Sequence, residues 1–164
     1  MATSKHLIIK NLLFALIFFT FLSCGGESNS DKQSANKSNT AGLSEWEFNN
    51  GFGPIKKKLY LMEIDKTMAA EGQKIFESKC AACHKLDERY VGPAQRDVLR
   101  RISPEFFMNM VINPEENTEK HPRIRELLGQ YMQKMTNQNI NLEDARKLLE
   151  YFRLLESELP PINK

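Results

Sequence analysis

The chain has 164 residues but only three cysteines, too few and too odd a number for a closed disulfide framework, so each thiol needs its own role. Long apolar runs are lacking too. The main one, from Leu12 to Leu22, holds 11 residues against the roughly 20 needed to span a bilayer. With a mean hydropathy of −0.48, this excludes a multi-span membrane protein. Neither sign of charge dominates: 23 basic residues face 21 acidic ones, and without Lys5 and Lys10 the remainder from Cys24 onward balances at 21 each. The broad basic field that drives nucleic-acid binding is therefore missing. Also missing are internal repeats and, outside a short stretch after residue 44, any alternation of β-strand type.

What is present begins with a leader. Lys5, His6 and Lys10 precede the apolar run, and Ser23-Cys24-Gly25-Gly26 follows it, the layout of an export signal. A small residue before a Cys followed by glycines is similar to the bacterial lipoprotein signal, in which Cys24 becomes the acylated first residue of the mature chain. Phe21 stands where that signal usually carries Leu. Residues 1–23 are thus expected to be removed, and Cys24 to anchor the protein at the periplasmic side of a membrane by more than one acyl chain. The alternative is ordinary cleavage near Ser23 with Cys24 left as a free thiol. Residues 24–44 are poor in apolar side chains and cannot offset the entropy of ordering, which predicts a tether reaching on the order of 25 Å.

Trp46, Phe48, Phe52, Leu59 and Leu61, broken by Gly51 and Gly53, predict an extended arm over residues 45–64 that lies on the domain, with Lys56-Lys57-Lys58 as a solvated face. The compact part is expected at residues 65–158, and its pattern is helical. Asp65 can cap a helix carrying Met68, Gly72, Ile75 and Phe76 toward Cys80. Ser103-Pro104-Glu105 opens another, which Asn113-Pro114 should stop. Ile124, Leu127, Leu128 and Tyr131 follow helical spacing after Pro122, and Asn141 caps a last helix bearing Ala145, Leu148, Leu149, Phe152 and Leu155. The fold class is all-α.

The chemistry lies in Cys80-Ala81-Ala82-Cys83-His84. This spacing suits covalent attachment of one c-type haem: each thiol adds to a vinyl group, and the adjacent imidazole of His84 binds the iron. A thioredoxin-like pair would need a βαβ context, and a zinc site would need a second pair of soft ligands. Neither is available, since the mature chain offers only His121 and Cys24 besides. A distal ligand could come from Met135, Met132 or His121. Met135 is favoured because it stands in the polar run Lys134-Met135-Thr136-Asn137-Gln138-Asn139, where a thioether has little else to do, whereas Met108 and Met110 read as core. Arg96, Arg100 and Arg101 either border the haem edge or form an exposed face.

Over residues 65–156 these features resemble a class I c-type cytochrome. Gly72 and Phe76, eight and four residues before Cys80, fall where that family's first helix meets its last, and Leu148 and Tyr151 match the contact positions on the last helix. The resemblance implies a small fold whose N- and C-terminal helices cross over a covalent haem. It also implies that the Pro93 carbonyl, in Gly92-Pro93, accepts the Nδ1 proton of His84. Met135, 16 residues before Tyr151, falls at the axial Met, although Thr136 replaces the usual Pro. The stretch from Ser103 to Asn139 is similar to single-haem lipoprotein cytochromes encoded alongside bacterial nitrous oxide reductase.

The expected function is electron transfer rather than catalysis, in a lipid-anchored, monomeric carrier of a respiratory chain. It would take electrons from a quinol-side donor and pass them to a terminal reductase, as in denitrification, or to an oxidase. A haem protein with an open distal site, for gas binding or peroxidase-like chemistry, and a non-redox surface lipoprotein are the competing readings. For so small a domain the haem would supply much of the apolar interior.

Overall fold

The computed structural model describes residues 42–162. The leader, Cys24 and the tether up to residue 41 lie outside them. Seven α-helices occur among the described residues, with no strand: α1 (Glu45–Asn50), α2 (Lys66–Ile75), α3 (Val98–Arg101), α4 (Pro104–Ile112), α5 (Pro114–Lys120), α6 (Pro122–Tyr131) and α7 (Leu142–Ser157). The all-α expectation holds.

Most helix starts follow local chemistry. Asp65 accepts from Thr67 N and Met68 N at 2.9 and 3.0 Å, Ser103 Oγ from Phe106 N at 3.0 Å, and Asn141 Oδ1 from Asp144 N at 2.8 Å. Pro occupies the first turn of α4, α5 and α6, where its missing N–H costs nothing. Asn113-Pro114 does stop α4, but it also starts α5, a helix absent from the sequence reading. Asn113, at φ −131° and ψ 61°, breaks the run because a residue before Pro is pushed out of the helical region, and Pro114 then restarts it.

α2 and α7 cross at Gly72. A Cβ there would lie 2.0 Å from the Lys147 carbonyl oxygen, so glycine is what lets the two backbones touch. Next to the crossing, Phe76 packs on Tyr151 and edge-on to Phe152, with centroids 5.9 and 5.5 Å apart, while Leu148 and Leu149 are fully buried. Burial of each such side chain contributes roughly 1.5–3 kcal/mol, which makes this crossing the centre of the core.

The extended arm needs correction at its start. Residues 45–50 are helical, because Ser44 and Glu47 form a capping box: Ser44 Oγ accepts from Glu47 N at 3.2 Å, and the Glu47 carboxylate accepts from Ser44 N at 3.0 Å. Gly51, at φ 69°, ends the helix, and the chain then runs without regular structure to Asp65.

Nor does the compact body begin at Asp65, for buried side chains grip the arm by its backbone. Asn109 Oδ1 accepts from Ile55 N at 2.9 Å, Asn117 Oδ1 from Phe52 N at 2.8 Å, and Glu105 Oε1 from Leu59 N at 2.7 Å. His121 Nε2 lies 3.0 Å from Phe48 O, and Glu150 Oε2 accepts from Asp65 N at 3.1 Å. Asn109→Ala leaves Ile55 N and Asn50 O without this partner at a buried position. It should cost roughly 2–4 kcal/mol, read as a lower urea midpoint at unchanged slope; a loss below about 0.5 kcal/mol would show that these bonds do not hold the arm.

Candidate functional site

After α2 the backbone widens into a π-helical turn, Phe76–Cys80, in which Ala81 N donates to Phe76 O at 2.9 Å. This turn delivers Cys80, and tighter bonds from Cys83 N and His84 N to Cys80 O, at 3.0 and 2.9 Å, bring the three motif side chains onto one cavity. Its walls are mostly apolar: Phe76 and Val98 on one side, Phe107 and Val111 of α4, Leu127 and Leu128 of α6, and Phe152 of α7.

His84 is fixed from two directions. Its Nδ1 lies 3.1 Å from the Pro93 carbonyl, an acceptor suited to a protonated Nδ1, the tautomer that keeps the Nε2 lone pair for a metal. A Cβ on Gly92 would sit 2.4 Å from Cε1 of the ring, so the backbone of residue 92 closes directly on the imidazole. Burial pushes the His84 pKa below its ordinary value and outweighs the opposing bond to Pro93, so the ring is neutral and ligand-competent at neutral pH. The Cys80 thiol, also desolvated, is pushed up to about 11. That is the reverse of the depressed pKa a dithiol redox centre requires. No cluster of three His, Cys, Asp or Glu side chains fit for a metal ion occurs among the described residues.

The three distal candidates lie in different places. Met135 is half-buried, packs against the core and lines the cavity. Met132 ends α6 in the left-handed region, at φ 55°, and is 83% exposed. His121 is buried elsewhere, with its Nε2 on the Phe48 carbonyl. Met110 of α4 also lines the cavity, so two thioethers face it. Of the three arginines read from the sequence, only Arg101 lines it; Arg96 pairs with Asp87 at 2.9 Å, and Arg100 donates to Pro160 O at 2.7 Å.

The cytochrome c domain family matches residues 69–156, more than half of the chain. The chain belongs to the cytochrome c family. It is similar to the cytochrome c of Rhodothermus marinus, at 36% identity and a TM-score of 0.65, covering 69% of this chain and 97% of that one. An engineered variant of that cytochrome matches at 36% identity and a TM-score of 0.64, covering 68% and 97%. A third structure, of the engineered protein bound to a carbene intermediate, gives 36% and 0.62 over the same shares. No curated protein matches the chain. As a member of this family the cytochrome carries iron in covalently bound haem c and acts in electron transfer. The residues present fit that group: two unpaired thiols, an imidazole with one nitrogen committed, and a thioether line one apolar cavity.

Two residues of the cytochrome's site escaped the sequence reading. Arg123 of α6 joins Arg101 at the cavity wall. Gln95 Nε2 donates to Pro93 O at 2.9 Å while lying 3.0 Å from His84 Nδ1, so amide and imidazole share one acceptor. Nothing in the sequence marks Gln95, because the acceptor it shares is a backbone atom. Gln95→Leu removes the competing donor and strengthens the bond from His84. The ligand becomes more basic, and the midpoint potential should fall by on the order of 20–60 mV. A potentiometric titration that shows a rise instead would mean that Gln95 does not weaken the His84 bond.

Proposed function

We propose that the protein is a membrane-tethered, periplasmic carrier of single electrons, with one haem c held by Cys80 and Cys83 and ligated by His84 and Met135. The observation that carries this reading is the placement of His84, its Nδ1 bonded to Pro93, in the same apolar cavity as both thiols and Met135. Bound there, the haem iron exchanges one electron between its ferrous and ferric states. The chain's own residues do the rest. Cys80 and Cys83 hold the group in place, Pro93 and Gly92 set the imidazole plane, and the walls from α4, α6 and α7 exclude water. No acid, base or nucleophile is called for. Met135 is preferred to Met110 because it stands on the irregular segment between α6 and α7, where the backbone can settle around a bond, whereas Met110 is one side chain of a packed helix.

A thioether ligand raises the potential, which suits a carrier between a quinol-side donor and a terminal acceptor. Nitrous oxide reductase is the acceptor suggested by the Ser103–Asn139 stretch, and a haem-copper oxidase is the alternative. Cys24 is the anchor; no helix among the described residues is long and apolar enough to cross a membrane. The decisive experiment expresses the chain with cytochrome maturation machinery. Haem that survives acid-acetone extraction, with carbon monoxide reacting slowly or not at all with the ferrous protein, supports a six-coordinate carrier. Rapid carbon monoxide binding would replace it with an open-site haem protein, and the lack of covalent haem with a structural lipoprotein. Cys24→Ser should move the protein from the membrane to the soluble fraction.

A further inference from the structure

The arm between α1 and α2, residues 52–64, lies outside the residues that match the cytochrome c family, and electron transfer makes no use of its outer face. From residue 58 its side chains alternate: Leu59 and Leu61 pack against the core, while Lys58, Tyr60 and Met62 point to solvent, Tyr60 95% and Met62 81% exposed. Glu105 holds Leu59 N, and Arg153 Nη2 donates to Met62 O at 2.6 Å, so the backbone that presents this face is fixed. Its charge is unbalanced. Lys56, Lys57 and Lys58 stand against one carboxylate on the same stretch, Glu63. Lys56 is close enough to interact with Glu47 and Glu116, but no ion pair or hydrogen bond engages the side chain of Lys57 or Lys58 among the described residues.

The arm and the haem cavity occupy opposite sides of α4 and α7. On α4 the cavity takes Phe107 and Val111, and the arm takes Glu105 and Asn109; on α7 the cavity takes Leu148 and Phe152, and the arm takes Glu150. Asn109 and Glu150 each stand two residues from their cavity neighbours, about 200° round the helix axis. The chain also enters on the arm's side, since α1 follows the tether directly and Trp46 Nε1 of α1 donates to Ile55 O at 3.2 Å. A tether over residues 24–41 therefore holds this side, and not the cavity, within on the order of 25 Å of a bilayer. An anionic bilayer attracts cations that come within about a Debye length of it, and its headgroup layer suits an aromatic ring with a polar tip.

We propose that the outer face of the arm rests on an anionic phospholipid surface, with Lys57, Lys58, Tyr60 and Met62 at the headgroups, so that the haem cavity is turned away from the membrane. The proposal deepens the tethered-carrier reading given above: the anchor keeps the domain near the bilayer, and the arm decides which way it faces. The exposed residues at the cavity, Cys83, Gln133 and Lys134, are then presented to redox partners on the far side. The attraction depends on summed charge, so cations can move along the arm, and arginine serves as well as lysine.

Lysine acetylation read by mass spectrometry tests the contact and the orientation together, on the anchored holoprotein in vesicles of phosphatidylcholine, alone or with about one third phosphatidylglycerol. Lys57 and Lys58 should react about tenfold more slowly on the anionic vesicles and recover in about 0.5 M salt. Lys134, at the cavity, should react equally on both. Without the anchor, the Cys24→Ser holoprotein should still bind the anionic vesicles on the order of 25-fold more tightly than the neutral ones, about fivefold for each free lysine. Lys57→Gln combined with Lys58→Gln should remove that preference, and arginine at both positions should keep it, which separates lost charge from lost folding. Equal acetylation on the two vesicles, protection of Lys134 in place of Lys57 and Lys58, or a preference that survives the double Gln change would overturn the proposal. So would protection that requires an acidic protein instead of lipid. Vesicle binding by the Cys24→Ser protein needs neither acylation nor iron chemistry, so it stays measurable if the anchor or the haem reading fails.

Discussion

Met135→His should lower the midpoint potential by on the order of 0.2 V, well inside the roughly 0.8 V that axial ligands span. A thioether is a soft donor that favours the ferrous iron, and an imidazole in its place removes that preference while keeping six ligands. Met135→Ala, which opens the position, should convert slow carbon monoxide binding into fast binding. Met110→Leu is the control. It conserves apolar volume at the other thioether of the cavity and should leave both properties near those of the parent. Potentiometry and stopped-flow mixing give the two readouts. An unchanged midpoint in Met135→His, together with fast carbon monoxide binding in Met110→Leu, would transfer the role to Met110.

Gly72→Ala should be the most destabilising Gly→Ala change among the described glycines. The new Cβ would meet Lys147 O at 2.0 Å, Lys147 C at 2.5 Å and Leu148 N at 3.0 Å, all backbone atoms of α7. With no flexible side chain to yield, α2 and α7 must separate, and the packing of Phe76 on Tyr151 and Phe152 loosens with them. Alanine's better helix propensity returns only about 1 kcal/mol. The net loss should be about 3 kcal/mol or more, and for a domain of this size the melting temperature should fall by roughly 10 °C. A melting temperature within about 2 °C of the parent would mean that the helices do not cross this closely.

The parts of the fold that could be read from the sequence are those fixed within a few residues. Ser103-Pro104 and Asn141-x-x-Asp144 are self-contained capping signals, and α4 and α7 begin where these residues place them. α5 escaped because Pro114–Lys120 has no apolar stripe; besides Pro114 it buries Asn117 and Thr118, polar side chains whose partners lie on the arm and in its own first turn. α1 escaped because Gly51 ends it after six residues, too few for a helical stripe, so only the Ser44-to-Glu47 box marks it. At the site, the Cys-Ala-Ala-Cys-His unit and its haem were legible from spacing alone. Among the distal candidates, Met135 was favoured by the polarity of its surroundings, and it lines the cavity. Gln95 and Arg123 were not visible at all, because each acts on an atom that only the folded chain brings near. His121, weighed as an iron ligand, sits instead between two aromatic rings and grips α1.

The grip on the arm also shapes how this protein can diverge. Glu105, Asn109, Asn117 and Glu150 each take hold of the arm by a backbone amide. Lys56, Lys57, Lys58, Tyr60 and Met62 all face solvent, so their identities are free to drift without disturbing the path of the strap. Proline is the exception: at positions 52, 55, 59 or 65 it would delete the very donor that is held. The arm is therefore a segment whose shape is inherited more strictly than its letters, and descendants of this chain should keep Asn109 and Asn117 long after Lys56, Lys57 and Lys58 have changed.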